Sequence, residues 1–280
     1  MRYEDQSPMS NFTDIEYRIE GPAAVISLNR PEKLNALTYH TMGEIRSAVD
    51  QSVANEDVVG IVITGNGRGF CSGLDSQVLA DVTGKGQPAS AEIRGKEETE
   101  ELPGIFSYLL EVPKPVISAI NGVAAGGGLI LALMSDIRIA STDASFLTIF
   151  LKRGLIAEHG SSWILPRLVG TGRALDLLWM SDRIDAETAL DLGLVERLVP
   201  PEELMEHCCG YIQRLSESVA PLAIAETKKL VYRHLGMGYK DALLEADESQ
   251  IRFVGAPDAA EGARALLEKR LPKFQRYNDN

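Results

Sequence analysis

The run Val116-Ile117-Ser118-Ala119-Ile120 is followed by Asn121-Gly122-Val123-Ala124-Ala125 and then by three consecutive glycines, Gly126, Gly127 and Gly128. A short apolar run closed by turn residues reads as a buried strand, and the apolar residues from Leu129 to Met134 read as a buried helix. A strand delivered to a buried helix through glycines leaves little room outside α/β architectures. The surrounding sequence repeats the theme. Ile15 to Ile19 alternates, Gly21-Pro22 turns and Ala23 to Leu28 resumes, which predicts a β-hairpin. Thr41 to Val53 carries Met42, Ile45, Val49 and Val53 on one helical face. Val59 to Thr64, Asp136 to Ala140 and Ser145 to Leu147 read as further strands.

Strands alternate with helices to about Val199, in an order that suggests repeated ββα units. From Pro201 the chain reads almost entirely as helix: Leu204 to Leu215, Pro221 to His234, Tyr239 to Phe253 and Pro257 to Leu271. Two regions are expected, 12–200 as the α/β core and 201–280 as a helical region of the kind that packs against a partner subunit. Residues 1 to 11 read as a polar, disordered lead-in. Between Ser76 and Leu102 the pattern weakens, with Gly84, Gly86, Pro88 and Gly95 interrupting it and Lys96, Glu97, Glu98, Glu100 and Glu101 clustering. That stretch reads either as a solvated helix and loop or as a cover over a site.

Of 280 residues, 45% are hydrophobic and 24% charged, enough for a sizeable core. The formal net charge is −12, which argues against non-specific nucleic-acid binding but leaves room for an anionic ligand at a local basic rim. No apolar run reaches the ~20 residues that span a bilayer. Cys71, Cys208 and Cys209 suit neither a disulfide framework nor a zinc site, and no metal-ligand spacing appears. With no apolar leader in Met1 to Ser10 and no peroxisomal address in the last residues, the expected location is cytoplasmic.

Glycines permit close backbone approach to a ligand, and a helix beginning directly after them directs unpaired N–H groups at it. Such donors suit a carbonyl oxygen that gains charge during reaction, where one is worth ~3 kcal/mol. The competing reading of the triple glycine is tight helix–sheet packing. A second potential donor is the Leu74 N–H in Phe70-Cys71-Ser72-Gly73-Leu74-Asp75. Cys71 is a candidate nucleophile only in the sense that a thiol is present; a small buried cysteine is the commoner case.

Taken together, these stretches resemble the enoyl-CoA hydratase/isomerase family, also called the crotonase family. F-C-S-G-L-D at Phe70 to Asp75 is similar to its F-x-x-G-x-D. K-P-V-I-S-A-I-N-G-V-A-A-G-G-G at Lys114 to Gly128 is similar to its central motif. N-R-P-E-K-L-N-A-L at Asn29 to Leu37, D-I-R-I-A-S at Asp136, L-P-R-L-V-G at Leu165, R-I-D-A-E-T-A-L-D-L-G-L-V at Arg183 and E-G-A-R-A-L-L-E-K-R-L-P-K-F at Glu261 extend the resemblance over nearly the whole chain. It implies an α/β crotonase-like spiral of ββα units with a helical C-terminal region, assembled as a homotrimer or dimer of trimers. It implies an acyl-CoA thioester as substrate and no separate cofactor, with the thioester oxygen held by the N–H groups of Leu74 and Gly127. Coenzyme A contacts are implied for Lys33, Leu34, Ala36, Ser72, Gly73 and Asp75, and for the C-terminal pair Lys273 and Phe274.

The chain departs from the hydratase pattern where catalysis occurs. Hydratases of the family place two glutamates to position and split water; the matching positions here are Ile130 and Phe150. Several isomerases of the family instead carry an acid at the position of Glu158, and a dehalogenase branch has an Asp at the matching place. Glu158 is therefore the expected catalytic carboxylate, shuttling a proton while Ile130 and Phe150 exclude water and raise its pKa. Without the resemblance, the simpler reading of Glu158 is an exposed loop acid paired with Arg153 or Arg167. His159 has no matched family role and reads as a structural histidine. Asp75 and Asp136 read as structural acids, and the pairs Glu202-Glu203 and Lys228-Lys229 as solvated helix faces. Three functions compete: an enoyl-CoA isomerase, a hydratase with atypical residues, and an acyl-CoA-binding protein without turnover.

Overall fold

The computed structural model describes residues 12–85, 102 and 104–277. The lead-in at 1–11 and the glycine and charge cluster from 86 to 101 lie outside the described residues. The predicted hairpin is present: β1 (Ile15–Glu20) and β2 (Ala23–Leu28) pair antiparallel with Glu20 opposite Ala23. Gly21 has φ +58°, the first-position conformation that a two-residue type II′ hairpin turn requires. Helix α1 (Tyr39–Ala54) starts at Thr38, whose hydroxyl accepts from the Thr41 N–H while the Thr41 hydroxyl accepts from the Thr38 N–H. This reciprocal capping box is anchored by Asp14, which accepts hydrogen bonds from both hydroxyls.

Three successive units then follow one plan. β3 (Gly60–Gly65) is followed by β4 (Gly69–Cys71) and α2 (Ser76–Lys85). β5 (Val116–Ile120) is followed by β6 (Val123–Ala125) and α3 (Gly127–Leu133). β7 (Ile137–Ser141) is followed by β8 (Ser145–Leu147), α4 (Ser161–Val169) and α5 (Thr171–Met180). Then come β9 (Ile184–Asp185), α6 (Ala186–Leu192) and β10 (Arg197–Val199). The first strand of each unit joins a six-stranded sheet ordered β1-β2-β3-β5-β7-β10, and the second joins a four-stranded sheet ordered β4-β6-β8-β9. Between successive units the pairing is parallel. Parallel strands covered on both faces are apolar throughout rather than alternating, and every residue of β3 and β5 is buried. The chain thus winds as a spiral of ββα turns, a crotonase fold.

The C-terminal helices are α7 (Leu204–Ser218), α8 (Pro221–His234), α9 (Tyr239–Val254) and α10 (Pro257–Glu268). The first of them belongs to the core's packing: Leu204, Cys208 and Ile212 of α7 pack with Val25, Val62, Ile117 and Ile139 of the large sheet. The change at residue 200 is thus one of composition, and the helices α8 to α10 pack in series beyond it. α10 ends at Glu268, before the predicted Leu271, because Lys269 turns the chain with φ +52°. Among the described residues no helix is long and apolar enough to cross a membrane.

One expectation fails here. Lys228 is not a solvated partner of Lys229; its side chain is buried, and Nζ donates to Asp136 Oδ2 at 2.8 Å and to the Leu109 carbonyl at 2.9 Å. Asp136 also accepts from the Tyr232 hydroxyl at 2.9 Å and the Val116 N–H at 2.7 Å. An apolar-patterned helix can insert one lysine into the core when a carboxylate waits there, and pattern alone does not reveal the acid. Removing one partner of a buried pair costs about 3–5 kcal/mol, because the other charge stays buried. Lys228→Met is expected to lower unfolding free energy by about 3 kcal/mol in urea titration, whereas Lys229→Met, at an exposed side chain, should change it by less than about 0.5 kcal/mol.

Candidate active site

Two sequence-distant segments are joined by backbone rungs. The Leu37 N–H donates to the Gly73 carbonyl at 2.8 Å, the Asp75 N–H to the Leu37 carbonyl at 2.9 Å, and the Ser72 N–H to the Leu34 carbonyl at 3.0 Å. Leu34 and Asn35 adopt left-handed backbone conformations, φ +49° and +55°. The buried Asn35 side chain stabilises that bend by accepting from the Arg30 N–H and donating to the carbonyls of Asn66, Gly69 and Phe70. The two segments for which the resemblance implies coenzyme A contacts, Lys33 to Ala36 and Ser72 to Asp75, therefore run side by side. Asp75 itself is committed elsewhere. Its carboxylate accepts from the Gln77 N–H at 3.1 Å and pairs with Arg30 at 3.2 Å, and these partners hold its pKa below the usual carboxylate range.

The glycine loop meets this pair of segments. Gly73 has φ +95°, and a Cβ there would lie 2.8 Å from the Ala125 carbonyl oxygen and 3.2 Å from the Gly127 nitrogen. Helix α3 begins at Gly127, two residues before the predicted Leu129. A Cβ on Gly128 would overlap the Cys71 carbonyl, while Gly126 turns the chain at φ +49°. Both readings of the triple glycine hold, at different residues: Gly128 permits tight packing against β4, and Gly127 sits beside Gly73. Among the described residues neither the Leu74 N–H nor the Gly127 N–H donates a hydrogen bond. Two unused backbone donors on adjoining segments can receive one oxygen that gains negative charge. Cys71 lies behind them with no exposure, and burial pushes its thiol up to about 12. It is an inert packing residue.

Ile130 and Phe150 are buried at 0% and 5% exposure, so the positions matched to the hydratase glutamates are sealed by hydrocarbon. Glu158 lies in the turn before α4. Its carbonyl accepts from the Ser161 N–H at 3.0 Å and the Ser161 hydroxyl at 2.7 Å. His159 and Gly160 follow in left-handed conformations, φ +51° and +83°. The Glu158 side chain is 29% exposed, and burial raises its pKa above the ordinary glutamate value. Its charged neighbour is neither Arg153 nor Arg167. Arg167 stacks over the Trp163 ring at 4.0 Å and donates to the Trp163 carbonyl, and the contact made by Glu158 is His159 Nε2 at 3.7 Å from Oε2. His159 is 8% exposed, and burial lowers its pKa. Both members of the pair are thus biased toward their neutral forms. The loop Gly104–Ile105 touches both regions: a Cβ on Gly104 would lie 3.8 Å from His159 Cα, and Ile105 approaches the Gly127 position at 3.7 Å.

A cleft of about 450 Å³ opens beside Leu34, Ser72 and Ala125 and is bordered by Arg68, Arg153 and Arg183. Among the described residues none of these arginines pairs with a carboxylate; Arg183 donates to the Ser145 hydroxyl at 3.0 Å. Sequence reasoning did not bring the three together: Arg153 reads there only as a partner for Glu158, and the residues lie far apart in the chain and share no local pattern. Lys273 and Phe274 pack back on α10: the Lys273 N–H donates to Glu261 at 2.9 Å, and the Phe274 ring lies against Gly262. Gly128→Ala is expected to destabilise the fold by about 3 kcal/mol in thermal or urea denaturation, since the methyl must displace the backbone of Cys71.

The fold is a spiral of ββα turns in which two unused amides, of Leu74 and Gly127, lie on adjoining segments. The model of the enoyl-CoA hydratase/isomerase family matches residues 18–277. A probable enoyl-CoA hydratase of Rhodobacter capsulatus is 34% identical over 264 residues, spanning 94% of this chain and 98% of that protein. The 1,2-epoxyphenylacetyl-CoA isomerase of Escherichia coli is 33% identical over 260 residues, spanning 91% and 96%. Among solved structures, an enoyl-CoA hydratase subunit from Geobacillus kaustophilus superposes with a TM-score of 0.83 at 35% identity, covering 95% of this chain and 99% of its own. The chain belongs to the enoyl-CoA hydratase/isomerase (crotonase) family and is an acyl-CoA enzyme of that fold.

Proposed function

We propose that this protein moves a double bond in an enoyl-CoA, with Glu158 as the single proton shuttle and the Leu74 and Gly127 amides as donors to the thioester oxygen. The observation that carries this reading is the exchange of carboxylates. Ile130 and Phe150 are buried hydrocarbon where a hydratase would need acids, while Glu158 keeps a partly buried carboxyl with a raised pKa. In the reaction, Glu158 removes a proton from C2 of a 3-enoyl thioester. The electron pair spreads into a dienolate whose oxygen the two amides hold, and the same carboxyl returns the proton to C4 as the C2–C3 bond becomes double. No water is consumed, so an apolar surround is an advantage. A raised pKa makes Glu158 a stronger base once ionised. The similarity to an acyl-CoA isomerase of E. coli is consistent with this reading.

A hydratase with atypical residues is the second reading. The approach of His159 to Glu158 at 3.7 Å favours it, because that pair could orient a water, and several relatives carry hydratase names. The arginine-lined cleft beside Ser72 and Leu34 suits the phosphates of coenzyme A, and Lys33 and Ala36 flank the Leu34–Asn35 bend at its edge. Lys273 and Phe274 would contact the nucleotide across a subunit boundary if the protein forms the trimer, or dimer of trimers, expected for its family. The exposed Ile251, Val254, Leu266 and Leu267 on α9 and α10 support such an assembly.

Deuterium exchange at C2, double-bond position and hydration, followed with 3-enoyl- and 2-enoyl-CoA, separate these readings; hydration without isomerisation would sink the first. Glu158→Gln is expected to cut C2 exchange by a factor of about 10² or more while CoA affinity stays near the wild-type value. The exchange rate should rise with pH, with a midpoint above the ordinary glutamate value. Linkage gives a sign for stability as well. A carboxyl whose folded pKa is raised binds its proton more tightly when folded, so its contribution is greatest below the unfolded value and declines as pH rises to the folded value. At pH 7 Glu158→Gln should therefore be at least as stable as the wild type in thermal unfolding. Arg153→Ala and Arg183→Ala should each weaken CoA binding about fivefold in calorimetric titration, with a shallower salt dependence than the wild type.

A further inference from the structure

The geometry points to Ile149 as a positioning residue that holds Gly126 in place, so that the Gly127 N–H stays directed at the thioester oxygen. This inference rests on the donor role proposed for Gly127 and adds the side chain that fixes that donor. Among the described residues six other than glycine have a positive φ, and Ile149, at +61°, is the only β-branched one. Two heavy atoms on Cβ crowd that backbone conformation, so a left-handed isoleucine is a true outlier. Such a residue persists only where its surroundings impose it.

The surroundings impose it from both sides. The buried Thr148 donates its hydroxyl to the Leu177 carbonyl at 2.9 Å, and the same hydroxyl lies 2.8 Å from that of Ser181. Phe150 is sunk in the core, and its carbonyl accepts from the Arg153 N–H at 2.9 Å and the Leu155 N–H at 3.1 Å. With both neighbours pinned, the half-buried Ile149 makes the reversal between them. Strand β8 leads into this turn, and the segment that carries Glu158 leads out of it.

What the strained turn gains is contact with the glycine loop. Gly126 has φ +49° and ψ −119°. Glycine enters such a conformation at little cost and leaves it as easily, so its neighbours must keep it there. The Leu147 carbonyl accepts from the Gly126 N–H at 3.1 Å, and the Gly126 carbonyl accepts from the Ile130 N–H at 3.0 Å. The third contact is the Ile149 Cγ2 methyl, which stands 3.1 Å from the point that a Cβ on Gly126 would occupy. Of the three, it alone is made by a side chain, so it alone can be removed by substitution.

The test is the infrared carbonyl band of butyryl-CoA, isotope-labelled at the thioester carbon and bound to the full-length protein. Amide donation to the carbonyl oxygen lowers its stretching frequency, so the wild-type band should lie below that of free butyryl-CoA. Ile149→Ala removes Cγ2. It should lose roughly half of this displacement or more and slow C2 exchange on a 3-enoyl-CoA by about tenfold, with thioester affinity within about threefold of wild type. Ile149→Val keeps Cγ2 and should match the wild type in both readouts. Because Ile149 also borders the arginine-lined cleft, each spectrum is taken at saturation. Ile149→Gly relieves the backbone as well. It should unfold at a temperature no lower than Ile149→Ala does, the reverse of the order at an ordinary residue. An undiminished displacement in Ile149→Ala would overturn the inference, as would an equal loss in Ile149→Val or a glycine variant less stable than the alanine one. These outcomes leave the donor reading standing. A wild-type band that does not move on binding removes the donor role of Leu74 and Gly127 itself, and this inference with it.

Discussion

The contact between Gly128 and the Cys71 carbonyl controls most of what this molecule can do. It lets helix α3 pack against strand β4 with no side chain between them, and that distance brings the Gly127 amide beside Gly73. A methyl group at Gly128 or Gly73 would press on the backbone of Cys71 or Ala125 and push the two segments apart. The rungs between Leu34–Leu37 and Ser72–Asp75 hold the other side of the groove. Arg30 secures them from behind, donating to the Ala36 carbonyl and pairing with Asp75. In the proposed mechanism this rigid backbone supplies the electrostatic half of the site. Preorganised N–H groups need no reorganisation when charge appears on a substrate oxygen.

The chemical half is set by burial. Ile130 and Phe150 occupy positions where acids would have to be solvated or paired, and the core closes over both. Glu158 is placed in a turn of consecutive left-handed residues, where its backbone is fixed by Ser161 and its carboxyl is only partly exposed. Partial desolvation disfavours the charged form of both Glu158 and His159. A carboxyl in such surroundings holds a proton more readily than a surface glutamate does, which suits the shuttle role proposed for it.

The C-terminal helices contribute in two ways. Helix α7 completes the core by covering the large sheet, and Lys228 of α8 reaches through to Asp136. That buried pair fixes α8 above the core.

Much of the fold was legible in the sequence. The hairpin at Gly21-Pro22, the fully apolar strands Gly60–Gly65 and Val116–Ile120 and the four C-terminal helices follow from periodicity and turn chemistry, which act over a few residues. The missing acids at Ile130 and Phe150 could be noticed only because the surrounding motifs resemble a family; their burial then came from the structure. What pattern could not supply was convergence. Arg68, Arg153 and Arg183 meet at one cleft from distant points of the chain, and Lys228 finds a carboxylate 92 positions away. The order of strands and helices is written locally, in spacing and in glycines. Which charges end up paired, buried or free depends on how distant segments pack, and only the tertiary structure decides that.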